Sequence, residues 1–215
     1  MIPLVHDLAD ETVLIFGGGD VGARKARRFA REARVVVVAP AFTAEAYGGA
    51  ERVREAPAPA DVPDWFDRVG PALAVAATDD EAVNDAVEEA ARERGVLVNR
   101  ADHAGPREAG SVVVPATVRD GEVVVAISTG ATSPALAREL KRRIAAEIDG
   151  TGELAALTAA IREELKAEGV DPGARRRAVA AVVESPAVWK DLGEEGSNPR
   201  RTADAVVDAA LGAHE

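Results

Sequence analysis

Gly17-Gly18-Gly19-Asp20-Val21-Gly22 is the feature that most limits what this chain can fold into. It follows the apolar run 12–16 and opens a stretch with helical spacing, so a strand turns through glycine into a helix. Each glycine in such a turn has its own job. Gly17 permits the tight turn, Gly19 lets the backbone approach a pyrophosphate, and Gly22 permits close helix–sheet packing. The N–H groups of the first helical turn then face the phosphates. Gly22, Ala23, Ala26 and Ala30 share a narrow face of small residues suited to a sheet, with Arg24, Arg27, Arg28 and Arg31 broadly opposite. A turn of this kind also occurs with no nucleotide. The strand–turn–helix context favours a dinucleotide, nicotinamide before flavin.

The pattern around the turn is strand and helix in alternation. Residues 34–39 form a second, valine-rich strand closed by Pro40. Residues 56–64 hold three prolines and read as loop or as an edge strand ending in a turn. Residues 72–77 give a third strand. Val83, Ala86, Val87 and Ala90 then mark a helix packed on a sheet, which Gly95 stops. Residues 96–98 give a fourth strand. This order implies right-handed crossovers and a parallel sheet covered on both faces, in keeping with all-apolar strands. After Asn99 the pattern changes. Residues 111–117 and 122–128 read as two strands joined at Arg119-Asp120-Gly121, and Ser133-Pro134 opens a helix. From Thr151 the chain reads as helical, with a stripe at Leu154, Leu157, Ile161 and Leu165. Another helix starts at Asp171-Pro172, and a last one carries Ala203, Val206, Val207, Ala210 and Leu211.

Composition narrows the chemistry. The chain has no cysteine, which excludes disulfides, iron–sulfur clusters and thiolate metal sites. Its net charge of −11 argues against nucleic acid as a partner. Apolar runs such as 35–40 and 123–127 are strand-sized, so no membrane span is expected, and the cytoplasm is the expected compartment. Only four of the 26 basic residues are lysines, a bias shared by high-salt adaptation and by GC-rich genomes. No local trio of histidines or carboxylates suggests a zinc site.

Ligands in such folds meet the carboxyl ends of the strands. An acid expected after the second strand, to hold the adenosine ribose, is missing. The sequence there reads Ala39-Pro40-Ala41-Phe42, with Thr43 or the backbone as substitute and no arginine marking a 2′-phosphate. Thr78-Asp79-Asp80 ends the third strand, where either aspartate also serves as a helix cap. Asp102 and His103 follow the fourth strand as proton carriers or as plain turn and solvent-facing residues. The run from Ser128 to Ser133 offers hydroxyls and backbone donors to a carboxylate, or simply a turn and a cap.

Four stretches together resemble the precorrin-2 dehydrogenase/sirohydrochlorin ferrochelatase family, the N-terminal module of siroheme synthase. They are LIFGGGDVGARKARRFA (14–30), AVAATDDEAVNDAVEEA (74–90), VNRADHAGPREAGSVVVPATV (98–118) and VVVAISTGATSPALARELKRRI (123–144). The likeness covers about residues 1–145, and the last stretch is the most specific. The resemblance implies oxidation of precorrin-2 to sirohydrochlorin with NAD⁺ as acceptor, in a homodimer. Iron insertion is an added activity of bifunctional members. It also implies that Asp102 is the catalytic base, that the glycine loop with Asp20 and Val21 holds the cofactor, and that Ser128 and Thr129 belong to the substrate turn. This chain differs from the family in a short insertion near residues 103–107 and in the order Arg119-Asp120. Both differences bear on metal insertion more than on dehydrogenation.

The expectations are therefore these. The fold is α/β: a Rossmann-like, NAD-binding parallel sheet (1–110), a dimerisation region of strands and helix (111–148) and a small helical domain (149–215) completing a tetrapyrrole cleft. The cofactor residues are Gly17, Gly19, Asp20, Val21, Gly22, Pro40, Ala41 and Thr78. The polycarboxylate substrate meets Arg100, Arg107, Arg119 and Arg138, whose guanidinium forks suit carboxylates, together with Ser128, Thr129 and Ser133. No metal is expected to reside in the protein. The competing reading from another class is a non-catalytic dinucleotide sensor.

Overall fold

The computed structural model describes residues 3–102, 111–130 and 132–212. Two compact units are present, Met1–Val114 and Pro115–Glu215. The first contains β1 (Thr12–Phe16), α1 (Asp20–Phe29), β2 (Arg34–Ala39), β3 (Glu51–Arg54), α2 (Val62–Val69), β4 (Leu73–Ala76), α3 (Glu81–Arg94) and β5 (Leu97–Arg100). The sheet order is β3-β2-β1-β4-β5, and every pairing is parallel. The chain reverses direction across the sheet between β1 and β4, and this fixes where a ligand can enter.

The strands owe their place to burial on both faces. Side chains alternate along a strand. Leu14, Phe16, Val36 and Val38 pack with Val62, Phe66, Val83 and Val87 on the side of α2 and α3. Val13, Ile15, Val35 and Val37 pack with Ala23, Ala26 and Tyr47 on the side of α1. Burying a side chain such as Phe16 contributes about 1.5–3 kcal/mol, and cutting it to alanine costs about 3–5 kcal/mol. Asp80 caps α3 by accepting from the Ala82 and Val83 amides, and left-handed Gly95 ends it.

The stretch expected to be loop or edge strand at 56–64 is organised differently. β3 precedes it, a 3-10 turn spans Pro59–Asp61, and α2 follows with Trp65 and Phe66 buried. Four strand residues and eight helical ones show too little periodicity to stand out beside prolines. The strand expected at 111–117 also shifts. Ser111 makes one parallel bridge to Val98, whereas β6 is Ala116–Asp120.

The second unit holds β6, β7 (Val123–Ile127), α4 (Pro134–Glu147), α5 (Thr151–Ala167), α6 (Pro172–Glu184), α7 (Pro186–Leu192) and α8 (Pro199–Gly212). β6 and β7 are antiparallel, with Asp120 opposite Val123, and Gly121 turns at φ 51°. Leu154, Ile161 and Leu165 of α5 meet Ala178, Val182, Val188, Ala203 and Val207 in a helical core. The N-cap of α5 is Gly150, which has no capping side chain, and Asp120 supplies the cap from the hairpin by accepting from the Gly152 amide at 2.9 Å. α4 has no buried residue, and Leu136 is 49% exposed. Among the described residues, no helix is long and apolar enough to cross a membrane.

Candidate dinucleotide site

A cleft of about 750 Å³ opens at the carboxyl ends of the strands, lined by the glycine turn, the end of β2 and residues 77–80. Its floor is shaped by what the glycines lack. Gly17 has φ 121°, and a Cβ there would lie 2.2 Å from the Ala77 carbonyl oxygen. At Gly18 a Cβ would lie 2.0 Å from the Ala41 carbonyl oxygen. The Gly18 carbonyl accepts from the Thr43 amide at 3.0 Å and from the Tyr47 hydroxyl at 2.5 Å. Gly19 is different, because a Cβ there would meet nothing within 4 Å. Two of these glycines are dictated by neighbouring backbone, and the third leaves open space above the start of α1. Gly19 caps that helix without a side chain, so the first-turn amides and the dipole face the opening. The residues fit a pyrophosphate.

Of the residues expected to hold the cofactor, Gly17, Gly19, Asp20, Val21, Pro40, Ala41 and Thr78 line this cleft. Gly22 stands behind it. A Cβ on Gly22 would lie 2.0 Å from the Gly17 carbonyl oxygen, so its role is to let α1 pack on the turn.

A polar chain leads from the cleft wall to Asp102. Thr78 exchanges three hydrogen bonds with Asn84, which is 1% exposed. Its amide then donates to Asp102 Oδ2 at 3.2 Å. Arg100 grips both oxygens of Asp102, at 3.0 and 2.8 Å, and also donates to Asp85 and Glu88 at 2.8 Å each. The Asp102 hydrogen bond, helped by the other carboxylates and opposed by burial, holds the Arg100 pKa above the ordinary arginine value. Three carboxylates share one guanidinium. The expected role of Arg100 as a substrate grip is corrected by this geometry: its side chain is 4% exposed and committed to these carboxylates.

Asn84 was missed by the sequence analysis, although it shares a helical face with Val87 and Ala91 at spacings of 3 and 7. Asn99 was also missed as a structural anchor. It is buried, accepts from Lys25 Nζ at 2.8 Å and donates to the Val112 carbonyl at 2.7 Å.

His103 and Arg107 lie outside the described residues. The remaining expected substrate residues belong to the second unit. Arg119 is on β6 and Arg138 on α4, both exposed. Ser128 Oγ accepts from the Gly130 amide at 3.3 Å, and the Thr129 hydroxyl donates to the Ser133 carbonyl at 3.2 Å. Ser133 caps α4 by accepting from the Leu136 amide. Among the described residues, no group of histidines and carboxylates is arranged to hold a metal.

A family model described as "Putative NAD(P)-binding" (NAD_binding_7) matches residues 4–116. The chain belongs to this NAD(P)-binding family. It is also homologous to siroheme synthases. That of Chromobacterium violaceum is 39% identical over 193 residues, covering 86% of this chain and 39% of the relative. That of Pseudomonas putida (strain W619) is 36% identical over 217 residues, covering 97% of this chain and 45% of the relative. The chain thus spans less than half the length of these curated relatives. Among solved structures, SirC, a precorrin-2 dehydrogenase, superposes with a TM-score of 0.72 at 22% identity, covering 97% of this chain and all of SirC. That likeness establishes a shared α/β fold. The resemblance read from the four sequence stretches is borne out by the siroheme synthase homologues.

Proposed function

We propose that the chain oxidises precorrin-2 to sirohydrochlorin, working as a homodimer in the cytoplasm. NAD⁺ held in the cleft supplies the acceptor for the hydride lost from substrate carbon. Asp102 takes the proton released in the same oxidation. The observation that carries this reading is the connection from the open Gly19 cradle through Thr78 and Asn84 to Asp102. That hydrogen-bonded route from the cleft wall to a carboxylate supports Asp102 as the proton acceptor. The siroheme synthase relatives and the name of SirC support the choice of precorrin-2 as substrate.

The other assignments follow the substrate's chemistry. Arg107, Arg119 and Arg138 grip carboxylates of the macrocycle, and the turn from Ser128 to Ser133 receives another through Ser128, Thr129 and Ser133. The hairpin and α4 supply the dimer surface. Val124 at 41% exposure and Leu136 at 49% are apolar groups that a second copy would cover.

Anaerobic incubation with precorrin-2 and NAD⁺, followed optically, tests the reading. Sirohydrochlorin and NADH are expected to appear together, and Fe²⁺ added afterwards reports any metal insertion. Precorrin-2 left unchanged while the protein binds NAD⁺ would favour the non-catalytic sensor instead.

A further inference from the structure

The adenosine end of this fold lies at the end of the second strand, where an acid selects the ribose 2′-hydroxyl and an arginine accommodates a 2′-phosphate. The end of β2 carries no acid, reading Ala39-Pro40-Ala41. The arginine that the sequence did not reveal comes from β3, an edge strand that the sequence analysis did not identify. Arg54 lies opposite Ala39 in the β2–β3 register. Its Nη1 donates to the Pro40 carbonyl at 3.3 Å, and its guanidinium carbon is 5.7 Å from the centroid of the Phe42 ring. Pro40 and Phe42 both line the cleft.

Arg52, two residues earlier on the same face of β3, sits 5.7 Å from Phe42 and 5.5 Å from Tyr47. The two rings meet edge to face at 5.6 Å. The Tyr47 hydroxyl in turn donates to the Gly18 carbonyl. An aromatic pair braced against the glycine turn therefore holds two guanidinium groups beside Phe42, a residue of the cleft wall. Among the described residues, neither arginine is paired with a carboxylate. Glu55, the next residue along, lines a separate depression with Asp61, Asp64, Asp67 and Arg68.

We infer that Arg54, supported by Arg52 on the Phe42–Tyr47 platform, forms a 2′-phosphate subsite, so that this cleft accepts NADP⁺ as well as NAD⁺. The inference rests on reading the cleft as a dinucleotide site. A 2′-phosphate carries a charge of about −1.5 to −2 at neutral pH, and a guanidinium fork meets it with paired donors.

Calorimetric titration of the full chain with NAD⁺, NADP⁺, 5′-AMP and 2′,5′-ADP tests it. NADP⁺ is expected to bind within about tenfold of NAD⁺, and 2′,5′-ADP more tightly than 5′-AMP. Losing a charge-assisted hydrogen bond weakens binding by about tenfold or more. Arg54→Ala should therefore weaken NADP⁺ and 2′,5′-ADP by that factor and NAD⁺ by much less. Binding of NAD⁺ with exclusion of NADP⁺, or an equal effect of Arg54→Ala on both, overturns the subsite and leaves the dinucleotide reading standing. Failure of the unaltered chain to bind either dinucleotide overturns both.

Discussion

Replacing Gly19 by alanine separates binding from folding. The added Cβ meets no protein atom within 4 Å, and the backbone at φ −79° and ψ −176° suits any residue. Two small effects on stability oppose each other. Alanine is a poorer N-cap than glycine by about 0.5–1 kcal/mol. Fewer unfolded conformations return about 0.4–1 kcal/mol. Stability should therefore hold to within about 1 kcal/mol. Affinity should not. The methyl group stands in the space through which phosphate oxygens approach the first-turn amides. Losing one charge-assisted bond of about 1.5–3 kcal/mol weakens binding by about 10- to 150-fold. Gly22→Ala is the contrasting variant, since its Cβ lies 2.0 Å from the Gly17 carbonyl oxygen, a backbone atom. It should cost about 1–3 kcal/mol of stability through overpacking. Calorimetric titration with NAD⁺ and thermal melting of both variants measure the difference. A Gly19→Ala protein that binds NAD⁺ within twofold of the parent would refute the assignment of this turn to the pyrophosphate.

Other perturbations address the rest of the account. Asp102→Ala should retain NAD⁺ affinity and lose turnover of precorrin-2, and unchanged turnover would remove its role as proton acceptor. Arg100→Met leaves Asp85, Glu88 and Asp102 facing one another without their cation, and should destabilise the fold by about 3–5 kcal/mol on denaturant titration. A loss below 1 kcal/mol would show the cluster to be solvated. Asp120→Ala removes the cap that the hairpin lends to α5, and should cost about 0.5–2 kcal/mol in the second unit. The backbone amides of Ala174 and Gly173 hold the Asp171 carboxyl below the ordinary aspartate value of 3.8. Its contribution to α6 is therefore full above that value and is lost as pH falls through the lower folded one. A carboxyl NMR titration should place its midpoint below 3.8, and a midpoint at or above 3.8 contradicts the capping geometry.

What the sequence made legible follows from periodicity and backbone demands. β1 and β2 are readable because buried parallel strands are unbroken apolar runs, and the glycine turn because its spacing is a steric requirement. β3 and α2 were not, being short, polar-edged and flanked by prolines. That omission hid Arg54, which stands beside the end of β2. Arg100 looked like a substrate grip because nothing local announces that Asp85 and Glu88, 15 and 12 residues earlier, converge on it from α3. Asn84 was hidden for the same reason. Its partners Thr78 and Asp102 lie at the ends of different strands and meet only when the sheet forms.

Determining the crystal structure with NAD⁺ bound tests the central claim most directly. The account predicts the pyrophosphate seated over Gly19 at the start of α1, with the nicotinamide directed toward Thr78 and Asp102. A dinucleotide found elsewhere on the protein, with this turn vacant at saturating NAD⁺, would contradict it.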